Sequence, residues 1–275
     1  TFRNKITNGN SFSDSHLNLI TLPNVKLEIG RPTKASGKVA FNSIKKALSI
    51  IAKDSADVLV TAPISKEAFN TAKINFPGHT ELLAKQEANS NYMMLFLSEK
   101  VKIGLVTIHL PISKVAGQIK TERIINAIDL LNCTAKRDLG ISKPKIAVLG
   151  LNPHAGENGL IGDEESKIIV PAIKSLQKKV NVSGPFVPDA FWGNKNFKKF
   201  DLILGMYHDQ ALIPFKLLNF NSGVNFTAGL KLIRTSPDHG TAYDIAGLNK
   251  ADESSLYQSY KYAIKIFQNR KRFIA

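Results

Sequence analysis

The chain has 275 residues, 43% apolar and 21% charged, a balance that is typical of a globular protein with a buried core. It contains no apolar run of about 18 residues and does not begin with a basic stretch followed by an apolar one, so the sequence predicts neither a membrane span nor a secretory signal. Its single cysteine, Cys133, excludes an internal disulfide and is expected to be buried in a cytoplasmic protein.

The net charge of +15, from 37 basic and 22 acidic residues, would attract a polyanion such as a nucleic acid. The basic residues are mostly lysines spread along helix-like stretches, however, and they are not interleaved with stacking aromatic residues. The densest basic cluster, residues 270–272, lies at the C-terminus, where cations also favour a helix end. We therefore expect no nucleic-acid partner.

Short apolar runs alternate with helix-periodic stretches along the chain. Four of the runs predict buried strands, over residues 57–62, 101–109, 145–151 and 201–207. Four of the stretches predict helices, over residues 38–52, 122–139, 164–179 and 253–267. This alternation indicates an α/β fold with a largely parallel sheet.

Three histidines accompany the ends of three predicted strands. His109 ends the second strand, His154 follows the third in an Asn-Pro-His sequence, and His208 follows the fourth. Because the carboxyl ends of parallel strands meet at one edge of a sheet, we expect these side chains to converge. Three neutral imidazoles can hold zinc or another divalent ion and leave positions open for a substrate. The alternative is that each is a hydrogen-bonded loop residue.

Two aspartates accompany these histidines. Asp209, next to His208, could bind the ion, orient the histidine or cap a helix. Asp189, in the sequence GPFVPDAF, is equally well suited to capping a helix or supporting the site. The residues alone leave these roles open.

Two regions offer hydrogen-bond donors to an anionic substrate. The sequence PGHTE, residues 77–81, opens an apolar helix, so its amides, the His79 ring and the Thr80 hydroxyl could bind a phosphate, or it could be an ordinary helix cap. The second region is an apolar segment interrupted by three polar side chains, Lys216, Asn225 and Arg234. Arg234 could bind a phosphate or carboxylate through two hydrogen bonds, although each of the three could also be a surface group or an ion-pair partner.

Neither GxGxxG nor GxxxxGK[ST] occurs, so the usual dinucleotide and mononucleotide sequences are absent. Glycines cluster in residues 150–162 and 238–247, where a ligand could approach the backbone or the chain could simply turn. The residues by themselves predict a metal-dependent enzyme acting on a small anion. Oxidation is one option, and hydrolysis by a bound water is another.

The motifs above belong to an ordered series: VTAPISKEAF (60–69), FPGHTELLA (76–84), YMML (92–95), TIHLPI (107–112), LGLNPHAGENGLIGDEE (149–165), GPFVPDAF (184–191), GMYHDQALIPFK (205–216), GVNFTAGL (223–230) and IRTSPDHGTAYDIAG (233–247). This series resembles the 4-hydroxythreonine-4-phosphate dehydrogenase family of vitamin B6 biosynthesis. The resemblance implies the fold of isocitrate and isopropylmalate dehydrogenases, with two α/β domains and an active-site cleft between them. Residues 1–75 with 212–275 would form the nucleotide-binding domain, and residues 76–211 the metal, substrate and dimerisation domain.

The resemblance also implies the reaction. NAD or NADP would oxidise 4-phosphooxy-L-threonine to 2-amino-3-oxo-4-phosphooxybutanoate, which loses carbon dioxide to give 3-amino-2-oxopropyl phosphate. Each site would need one divalent ion (zinc, magnesium or cobalt), and the protein would be a homodimer whose metal site is shared across the interface. The nearest alternative is a sister dehydrogenase that acts on 4-phosphothreonate or 4-phosphoerythronate.

Carried over onto this sequence, the family's metal ligands fall on His109, His154 and His208. Its substrate-binding positions fall on His79, Thr80, Lys216, Asn225 and Arg234, and the nucleotide candidates are Asp238, His239, Gly240, Thr241 and Ala242. Asp189 and Asp209 match acidic residues that support the site, and Lys216, Asp209 or a water at the metal could take the hydroxyl proton. The family's first strand and its GDPAGIGPE-like loop are not found in this sequence; if they are absent from the protein, the nucleotide domain lacks that strand.

Overall fold

The computed structural model describes residues 3–6, 17–22, 25–53, 57–75 and 78–274. The chain divides into two compact units. The smaller unit comprises Thr1–Leu59, Pro63–His79 and His239–Ala251, and the larger comprises Val60–Ala62, Thr80–Asp238 and Asp252–Ala275. Residues 212–238 and 252–275, which the sequence assigns to the nucleotide-binding domain, thus group with the larger unit.

The described residues of the smaller unit include a pair of parallel strands and two α-helices. The strands are β1 (Arg3–Ile6) and β2 (Leu17–Ile20), and the helices are α1 (Lys34–Ile51) and α2 (Lys66–Thr71). Helix α1 begins with reciprocal capping, since the Thr33 hydroxyl accepts the Ser36 N–H and the Ser36 hydroxyl accepts the Thr33 N–H. Helices α1 and α2 pack closely at Gly37, where a Cβ atom would lie 2.2 Å from the carbonyl oxygen of Ala68. Only glycine fits at that position.

Among the described residues, one eight-stranded sheet forms the centre of the larger unit. Its strands are β3 (Val58–Val60, of which Val60 belongs to this unit), β4 (Met93–Leu97), β5 (Lys102–Leu105), β6 (Ile146–Leu149), β7 (Val182–Phe186), β8 (Leu202–Gly205), β9 (Val224–Ala228) and β10 (Ile233–Pro237). Their order across the sheet is β3-β10-β9-β4-β5-β8-β6-β7.

The sheet is mixed, so the prediction of a largely parallel sheet is wrong for one half of it. Strands β10, β9, β4 and β5 pair antiparallel, whereas β5, β8, β6 and β7 pair parallel. The short connections 98–101 and 229–232 account for two of the antiparallel pairs, because a parallel pair needs a longer crossover. The four predicted strands are all present and are shorter than predicted.

Helices cover this sheet. They are α3 (His79–Gln86, which begins at the last residue of the smaller unit), α4 (Ile112–Gln118), α5 (Thr121–Arg137), α6 (Val170–Leu176), α7 (Pro188–Gly193), α8 (His208–Asn219) and α9 (Ser254–Ile274). Helix α5 buries one face, through Ile124, Ile128, Leu131 and Ala135. Cys133 lies on the opposite face and is exposed, which corrects the expectation that it is buried. No helix among the described residues has both the length and the apolar character needed to span a bilayer.

A buried carboxylate joins the ends of α5 and α9. Asp138, with 0% of its side chain exposed, accepts two hydrogen bonds from Arg137, at 2.7 and 2.9 Å, and a third from Arg270 at 2.7 Å. The Asp138 carbonyl also accepts a bond from Asn269. The hydrogen bond to Asp138 raises the pKa of Arg137, because it stabilises the charged guanidinium.

Candidate functional site

The three predicted histidines follow neighbouring parallel strands. Strand β8 lies between β5 and β6 and pairs in parallel with both, so their carboxyl ends share one edge of the sheet. His109 follows β5, His154 follows β6, and His208 begins α8 directly after β8. The sequence-based prediction that these segments share an edge is therefore confirmed for the strands that carry them.

His109 and His208 come together at this edge. Their ring centroids are 5.9 Å apart, and both rings line a pocket of about 280 Å³ with Asp209 and Ile112. The Asp209 carboxylate lies 2.7 Å from His208 Nδ1, and an ionised carboxylate can only accept, so Nδ1 carries the hydrogen. His208 Nε2 is then left with a lone pair that can bind a ligand.

The pair fits two ligands of one divalent ion. Imidazoles that share zinc at about 2.0–2.1 Å have ring centres roughly 5–6 Å apart, and the observed 5.9 Å lies within that range. His109 Nδ1 is also 3.7 Å from the Glu81 carboxylate, a distance too long for a hydrogen bond.

The structure does not bring His154 to this pair. His154 is exposed, in a turn that spans Pro153–Gly159, and its φ of 52° is in the left-handed region. Across the described part of the chain, no group of three or more His, Cys, Asp or Glu side chains is placed to hold one metal ion. A single chain therefore supplies two of the three predicted ligands together.

The loop that carries His154 is held by a buried carboxylate. Glu165 has 5% of its surface exposed and lies in the π-helical turn Glu165–Ile169 before α6. Its Oε1 accepts the backbone N–H groups of Leu151 and Asn152, at 2.7 and 2.8 Å, and its Oε2 accepts the Asn152 side-chain amide at 2.9 Å. The start of the loop is thus fixed two residues before His154.

The antiparallel half of the sheet buries a second group of polar residues, around Arg234. Arg234 is only 3% exposed, and its Nε and Nη2 donate to the Thr61 hydroxyl at 3.1 and 2.7 Å. Burial lowers the pKa of Arg234 to about 10, and the charge of Glu81 opposes that change. The guanidinium is therefore charged at neutral pH, with the neutral Thr61 hydroxyl as its hydrogen-bond acceptor and Glu81 as a nearby negative charge.

Other polar side chains share this face of the sheet. Strands β9 and β10 pair with Ser236 opposite Asn225, so alternation along the strands directs Asn225, Thr227 and Arg234 to the same face. The buried hydroxyls of Thr227 and Thr80 lie 3.2 Å apart. Within the described residues, Asn225 Oδ1 is buried without a hydrogen-bond partner, so it can accept a hydrogen bond from a ligand.

The remaining predicted substrate residues lie on two helices. His79 and Thr80 are both buried in the first turn of α3, so the helix starts where the sequence predicts, although Pro77 of the same motif lies outside the described residues. Lys216, on α8, places Nζ 3.9 Å from Asp238 Oδ1. Asp189 is exposed in the first turn of α7.

The predicted nucleotide residues belong mainly to an exposed loop of the smaller unit. His239 and Gly240 are exposed, and His239 Nδ1 lies 2.9 Å from the Gly240 carbonyl oxygen. A Cβ atom at Gly240 would have no atom within 4 Å, and Ala242 has a φ of 50°. The backbone here is open to a ligand, which fits a nucleotide-binding loop.

Comparison with known proteins gives the family. The family described as "Pyridoxal phosphate biosynthetic protein PdxA" matches residues 2–263. The chain belongs to the PdxA family. It is 42% identical over 270 residues to 4-hydroxythreonine-4-phosphate dehydrogenase of Bacteroides thetaiotaomicron, covering 96% of this chain and 74% of that protein. It is also 42% identical over 241 residues to D-threonate 4-phosphate dehydrogenase of Salmonella typhimurium, covering 87% of this chain and 73% of that protein.

Solved structures of PdxA proteins have the same fold. The crystal structure of 4-hydroxythreonine-4-phosphate dehydrogenase from Klebsiella pneumoniae matches with a TM-score of 0.80 at 38% identity, covering 96% of this chain and 83% of that one. Isocitrate dehydrogenase from Methylococcus capsulatus matches with a TM-score of 0.53 at 12% identity, covering 86% and 76% of the two chains. The second match concerns the fold alone, and it confirms the predicted isocitrate dehydrogenase-like α/β class.

Sequence reasoning missed three residues of this PdxA site. Thr61 and Thr227 lie inside motifs that match the family, but hydroxyl side chains in apolar runs gave no separate signal. Glu165 was assigned no separate role within its motif, whereas its side chain is turned inward onto the loop that precedes it. Its position could have indicated this role, because Glu165 directly follows the glycine-rich segment 150–162, whose backbone N–H groups need acceptors.

Proposed function

We propose that this PdxA chain uses NAD to oxidise 4-phosphooxy-L-threonine at its 3-hydroxyl, giving 2-amino-3-oxo-4-phosphooxybutanoate. This β-keto acid then loses carbon dioxide to form 3-amino-2-oxopropyl phosphate, for pyridoxal phosphate biosynthesis. The observation that carries the proposal is the buried Arg234 guanidinium, bonded to the neutral Thr61, in a chain of this family. A charged guanidinium in that position is suited to an anionic substrate.

The substrate would be held by polar side chains from α3, α8 and the antiparallel strands. These are His79, Thr80, Lys216, Asn225 and Arg234. The amide Oδ1 of Asn225 is an acceptor and so cannot bind phosphate itself; it suits the substrate's ammonium or hydroxyl group. Holding both ends of the substrate fixes the carbinol carbon for reaction.

His109, His154 and His208 would hold one divalent ion: zinc, magnesium or cobalt. The close pair of imidazole rings, the Nδ1 hydrogen bond from His208 to Asp209 and the open pocket beside them support this assignment. A bound divalent ion would stabilise negative charge on the substrate hydroxyl oxygen, which favours loss of hydride from the same carbon. Nitrogen ligands favour zinc or cobalt over magnesium.

A homodimer would complete the metal site, with His154 contributed across the interface. The exposed apolar side chains beside the histidines support this arrangement. Helix α8, which starts at His208, exposes Ile213, Leu217 and Phe220 along one stripe, and Leu217 is 83% exposed. Ile112 next to His109 and Leu160 after His154 are exposed as well. A second copy of the chain could bury these surfaces together with the ligands.

The nucleotide would bind at Asp238, His239, Gly240, Thr241 and Ala242. The exposed backbone of this loop supports that assignment, as does the isocitrate dehydrogenase-like fold. NAD or NADP would accept the hydride from the carbinol carbon. The hydroxyl proton would pass to Lys216, Asp209 or a water at the metal, and Asp189 would support the site.

D-threonate 4-phosphate is the second candidate substrate, because a relative with that activity in its name is also 42% identical to this chain. The two substrates differ at C2, which carries an amine in one and a hydroxyl in the other. Asn225 Oδ1 can accept a hydrogen bond from either group, so it does not discriminate between them.

An NAD reduction assay with each substrate and added Zn²⁺, Mg²⁺ or Co²⁺ tests the proposal. We expect faster NADH formation with 4-phosphooxy-L-threonine and at least a 100-fold loss for His154→Ala. Faster turnover of D-threonate 4-phosphate would select the second substrate. Unchanged turnover of His154→Ala would refute the metal assignment, and phosphate release without NADH would point to hydrolysis.

A further inference from the structure

The loop that carries His154 has a costly backbone conformation. Every residue from His154 to Asn158 has a φ between 42° and 80°, and only Gly156 among them is a glycine. Side chains with a Cβ atom are disfavoured in this left-handed region. Contacts elsewhere in the loop must therefore hold the run in place.

The Glu165 carboxylate fills the interior of this loop. A Cβ atom at Gly156 would lie 2.7 Å from Glu165 Oε2, and one at Gly150 would lie 3.1 Å from Glu165 Oε1. Gly150 and Gly156 thus pack against the carboxylate, while Leu151 and Asn152 donate hydrogen bonds to it. In the described part of the chain its partners are all N–H groups, which replace the hydration lost on burial.

A second contact connects the same loop to the segment that carries His208. Gln210, in the first turn of α8, donates from Nε2 to the Gly150 carbonyl oxygen at 2.6 Å. Its Oε1 accepts the Met206 N–H at 2.7 Å. Gln210 therefore fixes the position of Gly150 relative to the turn before His208. Glu165 fixes the next residues of the loop, Leu151 and Asn152.

We propose that Glu165 is a positioning residue, which orients His154 for binding a divalent ion by holding the amides of Leu151 and Asn152. The inference rests on the proposed metal role of His154. Glu165 acts through the backbone and does not touch the ion or the substrate. Losing its two backbone hydrogen bonds frees the segment Leu151–Pro153, and the imidazole of His154 then samples orientations that cannot bind.

The substitution Glu165→Gln tests this role, because it leaves one acceptor oxygen for the three N–H groups that the carboxylate binds and removes the charge that strengthens these hydrogen bonds. Glu157→Gln is the matched control, since it removes the same charge from an exposed position on the same loop. Metal-free protein is titrated with Co²⁺ and followed by visible absorption, well below each variant's unfolding temperature. We expect Co²⁺ affinity to fall about tenfold for Glu165→Gln and to stay at the wild-type value for Glu157→Gln.

Amide hydrogen exchange at Leu151 and Asn152 in the metal-free protein provides a readout without the ion, and we expect faster exchange in Glu165→Gln. If that variant does not fold, Gln210→Met removes the other contact and is expected to weaken Co²⁺ binding in the same direction. A folded Glu165→Gln variant with wild-type Co²⁺ affinity would overturn the positioning role. Wild-type protein that binds no Co²⁺ would instead overturn the proposed metal site.

Discussion

The guanidinium of Arg234 points two of its N–H groups at a single acceptor, the hydroxyl of Thr61. Thr61 is held in turn by its backbone, because its N–H donates to the carbonyl oxygen of Thr235, the next residue after Arg234. The acceptor therefore sits on a strand segment that is fixed relative to the arginine's own strand. Because the guanidinium is already held in one orientation, an anion that binds it does not lose free energy to ordering this side chain.

Thr61→Val should weaken substrate binding, because it removes the acceptor that orients Arg234 and leaves two buried donors unsatisfied. We expect KM for the phosphorylated substrate to rise about tenfold, equivalent to about 1.4 kcal/mol, with a smaller change in kcat. Steady-state kinetics would measure both constants. Thr61→Ser keeps the hydroxyl and should stay close to wild type, so a serine variant as impaired as the valine variant would contradict this role.

Asp209→Asn should weaken metal binding. An asparagine can turn its NH₂ group toward His208 Nδ1, which favours the tautomer with a hydrogen on Nε2 and blocks the ligand lone pair. We expect a roughly 10- to 100-fold loss of Zn²⁺ affinity, measured by competition with a chromophoric chelator. Asp163→Asn, which breaks an exposed ion pair with Lys167, is the control. Equal affinities for the two variants would contradict the orienting role of Asp209.

Asp138→Asn should destabilise the larger unit without affecting the chemistry. It leaves Arg137 and Arg270 without the buried carboxylate that both bind, and losing one partner of a buried pair costs about 3 kcal/mol. Urea unfolding followed by circular dichroism would measure the loss. Asp163→Asn again serves as the comparison, since an exposed pair contributes less than about 1 kcal/mol. A KM that changed with Asp138→Asn would be inconsistent with a purely structural role.

Gly37→Ala should loosen the smaller unit. The new methyl group would overlap the Ala68 carbonyl oxygen, so α1 and α2 must separate, at a cost of about 1–3 kcal/mol. Hydrogen exchange should speed up in α1 and α2. Gly117→Ala provides the contrast, because its Cβ would have no atom within 4 Å in α4, and there alanine should stabilise by about 0.5–1 kcal/mol. Similar effects of the two substitutions would refute the packing argument.

Three strands of the parallel half, β5, β6 and β8, were predictable from sequence, as was β3, whereas β7 and the antiparallel strands β4, β9 and β10 were not predicted. Strands β5, β6 and β8 are continuous apolar runs, which is the pattern of strands buried on both faces. Strands β9 and β10 contain Asn225, Thr227 and Arg234, so their polar residues suggested interruptions of an apolar segment. The same residues form the polar face of the candidate site. Polar side chains that serve a site therefore replaced the apolar residues by which a buried strand is predicted.

Prediction of the site was limited in a similar way. The histidines could be placed because each follows a strand end, and strand order decides which ends are neighbours. Sequence could not show that His154 stays apart from His109 and His208 within one chain, because that depends on the left-handed course of its loop. Nor could the sequence show that the Glu165 side chain binds the backbone of residues 151 and 152, because that contact depends on the course of the loop between them.

The mixed sheet separates two tasks. The antiparallel strands β9 and β10 carry Asn225 and Arg234, which are proposed to bind the substrate. The parallel strands β5, β6 and β8 precede His109, His154 and His208. Under the proposed function, substitutions on the first group would alter substrate preference and leave the proposed metal ligands in place, and the reverse would also hold. The residues of β9 and β10 and the histidines after β5, β6 and β8 can therefore be substituted separately in engineering.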